Sequence, residues 1–257
     1  NIGACATFLY NLRQGVEDIR SGKYRVSLVG ASEAPITPEV IEGYRTMNAL
    51  AEDDALNALD GIDGPTDHTR ACRPFSDNCG FTVAEAGAFA VLMDDELAMQ
   101  LGAKTLCSVG GVYVNADGYK KSIPGPGIGN YITMAKAMSV TRAILGDESL
   151  RTRTHVLAHG TGTPQNRVTE SEILNEMAKL YGIESWPVAA IKAYVGHSMA
   201  PAGGDQLGAA LGTWEHGWLP GITTIDHIAE DVHQSHLNFA INHLELGATN
   251  VDAALVN

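Results

Sequence analysis

The chain has 257 residues and a formal net charge of -13, from 17 Lys and Arg against 30 Asp and Glu. Such a surface repels phosphate backbones, which argues against a nucleic-acid partner. No apolar run approaches the ~20 residues that cross a bilayer, and the opening residues lack a secretory signal, so we expect no membrane span.

Hydrophobic periodicity and turn residues predict the elements of the first half of the chain. They are a helix after Cys5 that stops at Gly22, a strand over residues 25–30, a helix over 37–50, an irregular surface excursion over 52–79, a strand over 88–93, a helix over 94–101 and a strand over 105–114.

The second half alternates more regularly. After an irregular stretch that ends SIPGPGIGN at residues 122–130, the pattern predicts a helix over 131–145, a strand over 154–158, a helix over 168–181 with Ile173, Met177 and Leu180 on one face, a strand over 188–191, a helix over 203–214, and strands over 237–241 and 251–256. Strands that alternate with helices indicate a layered α/β architecture.

The four cysteines are Cys5, Cys72, Cys79 and Cys107. None forms a Cys-x-x-Cys pair, which argues against structural zinc and redox motifs. A chain of this size needs no disulfide to fold, so we expect a reducing compartment and a cytoplasmic location.

Cys5 lies where a loop or strand meets a helix, in the sequence GACAT. A thiol at that point faces unpaired N–H groups and the positive end of the helix dipole, which favour the nucleophilic thiolate. A small buried cysteine among small residues is the alternative.

Two histidines directly follow predicted strands. His159 stands in AHGTGTP, where the carboxyl end of a strand is the usual ligand position in an open α/β sheet. His197 stands in KAYVGHS, ahead of a glycine pair that opens a helix. Either imidazole could instead be a structural residue of a turn or the core.

Five further histidines invite a metal interpretation because they are close in sequence, but their spacing fits no helical pair or finger pattern, and we expect no metal site there. They are His216, His227, His233, His236 and His243.

Taken together, the motifs resemble the β-ketoacyl synthases of the thiolase-like superfamily. The resemblance extends from the Cys5 segment through RPFSDNCGFTVAEAGAFAVL and AHGTGTPQNRVTE to KAYVGHSMAPAGG. The family's glutamate eleven residues past the first histidine falls on Glu170. Its lysine five residues before the second histidine falls on Lys192.

The resemblance implies a layered α-β-α-β-α fold. This chain would cover the nucleophile segment and the C-terminal half: residues 1–110 as the remainder of the N-terminal half and residues 111–257 as the C-terminal half. The family's chain extends well before the nucleophile, so we expect these residues alone to leave the central sheet incomplete. Full-length members are typically homodimers.

The resemblance also implies a mechanism. Cys5 would hold an acyl group as a thioester, and His159 and His197 would assist decarboxylation of malonyl-carrier in fatty acid elongation. Lys192 and Glu170 would support the histidines. Thr161 and Thr163 would contact the phosphopantetheine arm of an acyl carrier protein. No metal or other cofactor is implied.

One further residue and three alternatives follow from the resemblance. Leu246 is expected where the family's closing loop carries a gating Phe, so its backbone N–H would line the oxyanion hole. A polyketide-type ketosynthase and a non-catalytic subunit remain open, whereas a thiolase is disfavoured because no cysteine follows Cys107.

Overall fold

The computed structural model describes residues 2–116 and 127–257. The helices are α1 (Thr7–Arg20), α2 (Pro38–Thr46), α3 (Asp53–Asp60), α4 (Asp95–Leu101), α5 (Ile128–Thr152), α6 (Pro164–Tyr181), α7 (Lys192–Val195) and α8 (Ala202–His216), with 3₁₀ turns at Ala4–Ala6 and His68–Arg70. The strands are β1 (Val26–Glu33), β2 (Ala86–Met93), β3 (Thr154–Leu157), β4 (Trp186–Ala189), β5 (Trp218–Leu219), β6 (Leu237–Phe239), β7 (Leu244–Glu245) and β8 (Ala253–Val256).

A parallel four-stranded sheet in the order β6-β4-β3-β8 forms the larger layer of the fold. Every residue of β3 is buried, as expected for a central strand that is covered on both faces. Val156 packs into the core cluster on the side of α5 and α6, whereas Leu157 packs into the cluster on the side of α8. The carboxyl end of β3 therefore lies between two packed layers.

A second sheet consists of β1 and β2, which pair antiparallel along all eight residues of each strand. Phe8 and Leu12 of α1 pack with Val29 against it. Because α1 also contacts α8, these two helices separate the sheets, and the described residues stack as helix, sheet, helix and sheet. Leu28 and Phe89 remain exposed on the outer face of the β1–β2 pair.

Helix boundaries follow the local capping chemistry. The side chain of Thr163 accepts the N–H of Asn166, so α6 begins at Pro164, four residues before the predicted start. Gly146 interrupts α5 with non-helical dihedral angles, which is why periodicity predicts the helix only as far as residue 145.

Two predictions for the first half of the chain are wrong. The excursion at residues 52–79 contains α3, and its later part is not at the surface, since Cys72 and Phe75 are buried. Residues 105–114 form no strand, although their composition favours one, because they pair with no neighbouring strand in the described chain.

Leu180 is 72% exposed, whereas Ile173 and Met177 are buried as predicted. Residues 122–126 of the SIPGPGIGN segment lie outside the described residues. Among the helices of the described chain, none is both long and apolar enough to cross a bilayer.

Candidate active site

Cys5 lies in the 3₁₀ turn that leads directly into α1. Ala4 has a positive φ of 48°, which is unfavourable for a residue with a Cβ atom. Thr7 holds this turn, since its hydroxyl donates to the carbonyl of Ala4 and accepts the N–H of Gly3. The chain thus presents the Cys5 side chain at the amino end of a helix, as the sequence predicts.

His197 is the nearest catalytic candidate to the thiol. Its Nε2 lies 3.0 Å from the Sγ of Cys5. The N–H of Met199 donates to its Nδ1 at 3.3 Å. Because Nδ1 is the acceptor of this hydrogen bond, the neutral ring carries its own proton on Nε2. The ring therefore presents an N–H donor to the sulfur.

The backbone of His197 is fixed by the segment that precedes β2. Its N–H donates to the carbonyl of Thr82 at 2.7 Å, and its carbonyl accepts the N–H of Ala84 at 3.0 Å. Gly196 permits this approach, because a Cβ there would lie 2.9 Å from the carbonyl oxygen of Thr82 and its φ is +68°. The RPFSDNCGFTVAEAG motif thus positions the second histidine.

His159 follows β3 and faces His197, with ring centroids 5.3 Å apart and planes at 89°. The Nζ of Lys192 lies 2.6 Å from the His159 carbonyl oxygen and 3.4 Å from its Nδ1. The carboxylate of Glu170 accepts the N–H groups of His159 and Gly160 at 2.6 and 2.7 Å. The two residues predicted to support the histidines are therefore in contact with this one.

Burial sets the electrostatics of the site. Together with the nearby Lys192 ammonium, it lowers the pKa of His197 to about 3 and the pKa of His159 well below its usual range. Burial also lowers the pKa of Lys192, against the opposing effect of Glu170 and Cys5. Both imidazoles are therefore neutral at physiological pH.

The ligand atoms of Cys5, His159 and His197 lie within 4.8 Å of one another, the one such grouping with metal-ligand geometry in the described part of the chain. Their hydrogen bonds do not suit a metal. Both Nδ1 atoms face N–H donors, so each neutral ring keeps its proton on Nε2, the atom that would have to bind the ion. The arrangement fits two hydrogen-bond donors beside a thiol.

Sequence reasoning missed an apolar wall beside the thiol. Tyr44, Phe81 and Met199 belong to one cluster with Cys5, and the Phe81 ring meets the His197 ring edge to face at 5.4 Å. The Tyr44 hydroxyl lies 3.5 Å from the Met199 sulfur. These residues come from distant segments, and none carries a sequence signal that points to the thiol.

The two threonines of the HGTGT motif are both buried, and their hydroxyl oxygens lie 3.0 Å apart. Thr163 also caps α6, while the N–H of Thr161 donates to the side chain of Asn166. The loop therefore has a structural role in addition to the substrate contact that the resemblance implies.

Leu246 does not occupy the predicted position. Its side chain packs with Leu157 and Leu219 in the cluster on the α8 side, apart from the Cys5 cluster, and its N–H donates to the carbonyl of Gly217. That N–H is therefore not free to line an oxyanion hole. The residue from the end of the chain that reaches the site is Asn257, whose amide donates to Glu170 at 2.5 Å.

The five later histidines do not converge. His227 pairs with Asp77, Nδ1 of His236 lies 3.0 Å from the carbonyl oxygen of Ile183, and Nδ1 of His243 accepts the N–H of Gly221.

Comparison with protein families gives two matches. The family model described as "Beta-ketoacyl synthase, N-terminal domain" matches residues 2–98, and the one described as "Beta-ketoacyl synthase, C-terminal domain" matches residues 106–226. Together they account for most of the chain.

Among curated proteins, the chain is 56% identical over 238 residues to beta-ketoacyl-[acyl-carrier-protein] synthase FabY of Pseudomonas aeruginosa, covering 93% of this chain and 37% of FabY. It is 29% identical over 225 residues to the actinorhodin polyketide putative beta-ketoacyl synthase 1 of Streptomyces coelicolor, covering 84% of this chain and 43% of that protein. The chain thus spans less than half the length of these relatives.

Among solved structures, the crystal structure of the noncanonical ketosynthase FabY from P. aeruginosa matches with a TM-score of 0.96 and 52% identity, over 100% of this chain and 40% of that one. A type II polyketide ketosynthase in complex with its acyl-carrier protein, AntDE:AntF, matches with a TM-score of 0.81 and 23% identity, over 98% of this chain and 57% of that one. The fold is therefore the thiolase-like fold of the ketosynthases.

Proposed function

The chain belongs to the β-ketoacyl synthase family, and on that basis we propose that it carries the active site of a β-ketoacyl-[acyl-carrier-protein] synthase. The reaction is the decarboxylative condensation of malonyl-carrier with an acyl group held on Cys5. The observation that carries the proposal is the convergence of the Cys5 sulfur with the ring nitrogens of His159 and His197 within 4.8 Å. These residues are far apart in sequence, and a structural core has no need of this set.

Acyl transfer is the first step of the proposed reaction. The Cys5 thiolate attacks the carbonyl carbon of the acyl thioester, the bond from that carbon to the pantetheine sulfur breaks, and the departing thiolate takes up the proton that Cys5 lost. The amino end of α1 and the Nε2–H of His197 stabilise the negative sulfur before attack.

Decarboxylation and condensation follow when malonyl-carrier takes the place of the first carrier. The Nε2–H groups of His159 and His197 donate to the malonyl thioester oxygen, where negative charge develops as carbon dioxide leaves. The resulting enolate carbon attacks the acyl carbonyl on Cys5, and the bond from that carbonyl to the Cys5 sulfur breaks. Cys5 leaves as a thiolate and takes up one proton from solvent before the next cycle, and no oxidant or reductant is consumed, so the proposal includes no metal or redox cofactor.

Lys192 and Glu170 act in this scheme through His159. Lys192 donates toward Nδ1 and so keeps the proton of the ring on Nε2, while Glu170 fixes the backbone on both sides of the residue. Thr161 and Thr163 contact the pantetheine arm, which the carrier protein supplies covalently. The glycines on either side of Thr161 let this loop pack against the protein, because a Cβ on Gly160 would lie 2.8 Å from the Cβ of Ala190 and one on Gly162 would lie 3.0 Å from the carbonyl oxygen of Gly80.

The partner is an acyl carrier protein, since the substrate must arrive on phosphopantetheine, and AntDE:AntF is such a complex for a protein of the same fold. The much higher identity to FabY than to the polyketide enzyme supports a place in fatty acid synthesis. We further propose that the protein acts in the cytoplasm and, at its natural length, as a homodimer.

The test is intact-mass spectrometry of the protein at its natural length after incubation with an acyl-carrier thioester. We expect one acyl adduct that maps to Cys5, disappears in Cys5→Ala and persists in the matched control Cys107→Ala. A folded protein that forms no adduct with a carrier shown to be competent would refute the condensing-enzyme proposal and favour a non-catalytic subunit.

A further inference from the structure

Gln206 is a buried amide that no step of the proposed reaction uses. It projects from the apolar helix α8, is 1% exposed, and reaches the carboxyl ends of two neighbouring strands. Its Nε2 donates to the carbonyls of Leu157 and Ala158, each at 2.8 Å, and lies 2.9 Å from the carbonyl oxygen of Asn257. Three backbone acceptors thus surround one side-chain amide.

These acceptors lie immediately beside His159. The peptide unit that joins Ala158 to His159 has its carbonyl bound by Gln206 and its N–H bound by Glu170. The next unit, from His159 to Gly160, has its carbonyl bound by Lys192 and its N–H bound by Glu170. All four polar atoms of the two peptide units are therefore held by three buried side chains.

Gln206 also ties β8 to β3 at the edge of the site. The carbonyl of Leu157 accepts the N–H of Asn257 at 3.0 Å in addition to the Gln206 amide, which uses both of its lone pairs. Asn257 in turn donates to Glu170. Loss of the Gln206 amide would leave the buried carbonyls of Leu157 and Ala158 without one of their donors. It would also loosen two contacts of Glu170, those with the His159 N–H and with the Asn257 amide.

On these grounds, and resting on the proposed function, we propose that Gln206 is a positioning residue that fixes the backbone of His159 for decarboxylation. His197 does not depend on it, because its backbone is held by Thr82 and Ala84 on another segment. The two half-reactions should therefore separate: acylation of Cys5, which uses His197, is independent of Gln206, and decarboxylation, which also needs His159, is not.

The residue type matters as much as the contact. A carboxylate in place of the amide would face three carbonyl oxygens and could donate only when protonated. Burial raises the pKa of a carboxyl group, so a glutamate at this position would regain one donated bond as the pH falls. Gln206→Glu should therefore be impaired more severely at high pH than at low pH, which the loss of packing alone would not produce.

The experiment compares wild type with Gln206→Met, Gln206→Glu and the control Thr213→Val, which changes a buried hydroxyl of α8 that bonds only within its own helix. Two rates are measured in the protein at its natural length: alkylation of Cys5 by iodoacetamide, and release of carbon dioxide from malonyl-carrier.

For Gln206→Met we expect decarboxylation to fall at least tenfold while alkylation stays within twofold of wild type, and Thr213→Val to leave both within twofold. The decarboxylation rate of Gln206→Glu, taken as a fraction of the wild-type rate at the same pH, should rise as the pH is lowered from 8 to 6. Unchanged decarboxylation, or equal losses of both rates in the two Gln206 variants, would overturn the positioning role. An inactive wild type would instead refute the proposed function itself.

Discussion

The Nε2 of His197 lies 3.0 Å from the Sγ of Cys5, although the two residues are 192 positions apart in sequence. The N–H of Met199 occupies the other nitrogen of the ring, so the proton that faces the sulfur belongs to His197. A neutral imidazole that donates to sulfur stabilises the thiolate without itself becoming charged. This relationship leads to the first prediction.

We predict that Cys5 reacts with iodoacetamide at pH 7.5 at least tenfold faster than the other cysteines. Burial raises the pKa of Cys72 to about 12 and also raises the pKa of Cys79 and Cys107, so these thiols stay protonated. Peptide mass spectrometry after timed quenching gives the four rates. Comparable rates for Cys5 and Cys107 would contradict an activated nucleophile.

A second prediction concerns the pH dependence of decarboxylation. An ordinary histidine becomes charged near pH 6.5, but the pKa of His197 is about 3 and that of His159 is also lowered, so both rings stay neutral as the pH falls. Carbon dioxide release by Cys5→Ala, which lacks the competing thiol titration, should change less than twofold between pH 7.5 and pH 5. A loss of half the rate near pH 6.5 would show that one histidine titrates normally.

Removal of the Lys192 amine gives the third prediction. Lys192→Met breaks a buried bond to the His159 carbonyl and leaves Nδ1 without its donor, so the ring can move its proton away from Nε2. A buried hydrogen bond from a charged group contributes about 1.5–3 kcal/mol, which corresponds to a roughly 10- to 150-fold loss in decarboxylation rate. Lys179→Met, which removes an exposed amine paired with Glu176, is the control and should retain the wild-type rate.

The sequence allows the side chains that converge at the candidate site to be predicted, because strand ends and glycine turns are local signals. His159 and His197 each follow a predicted strand, and the structure brings them together with Cys5. Glu170 and Lys192 could be placed only through the family's spacing, since a buried charge has no local signature. Their contacts with His159 explain why a buried carboxylate and a buried amine stand at these two positions.

What the sequence does not reveal depends on pairing between distant segments. Residues 105–114 have the composition of a strand but find no partner strand among the described residues, whereas α3 forms within a stretch whose aspartates and glycines suggest a loop. The resemblance assigns Leu246 to the closing loop of the site, yet β7 pairs with β5 and brings the residue that follows it into another core cluster. One sequence signal could have singled out Gln206: it is a glutamine on a predicted apolar helix shortly after His197 in the sequence.

The fourth prediction separates the two roles of Thr163. Its hydroxyl caps α6, and replacement of such a cap by alanine costs about 1 kcal/mol of folding free energy. Thr163→Ala should therefore lower the midpoint of urea unfolding, and Thr163→Ser, which keeps the hydroxyl, should not. If the hydroxyl also contacts the pantetheine arm, Thr163→Ser retains the KM for malonyl-carrier and Thr163→Ala raises it. An alanine variant with wild-type stability would contradict the capping role.

The fifth prediction concerns His155 on β3, which is fully buried and whose ring nitrogens have no hydrogen-bond partner among the described residues. Burial lowers its pKa to about 4, against about 6.5 in the unfolded chain. The unfolded chain therefore binds a proton more readily than the folded one between these values, and stability falls as the pH drops from 6.5 towards 4. Between pH 7 and pH 4.5, wild type should lose about 2 kcal/mol more unfolding free energy than His155→Leu.

Urea unfolding of both proteins at the two pH values measures this difference. His159 and His197 also have lowered pKa values, but they are present in wild type and variant alike and so cancel. The leucine side chain fits an apolar site beside Leu157 and Ala254 and removes two unsatisfied nitrogens, so we also expect His155→Leu to be at least as stable as wild type at pH 7. Equal losses in the two proteins would mean that the His155 ring is hydrated or paired in solution and does not contribute to acid sensitivity.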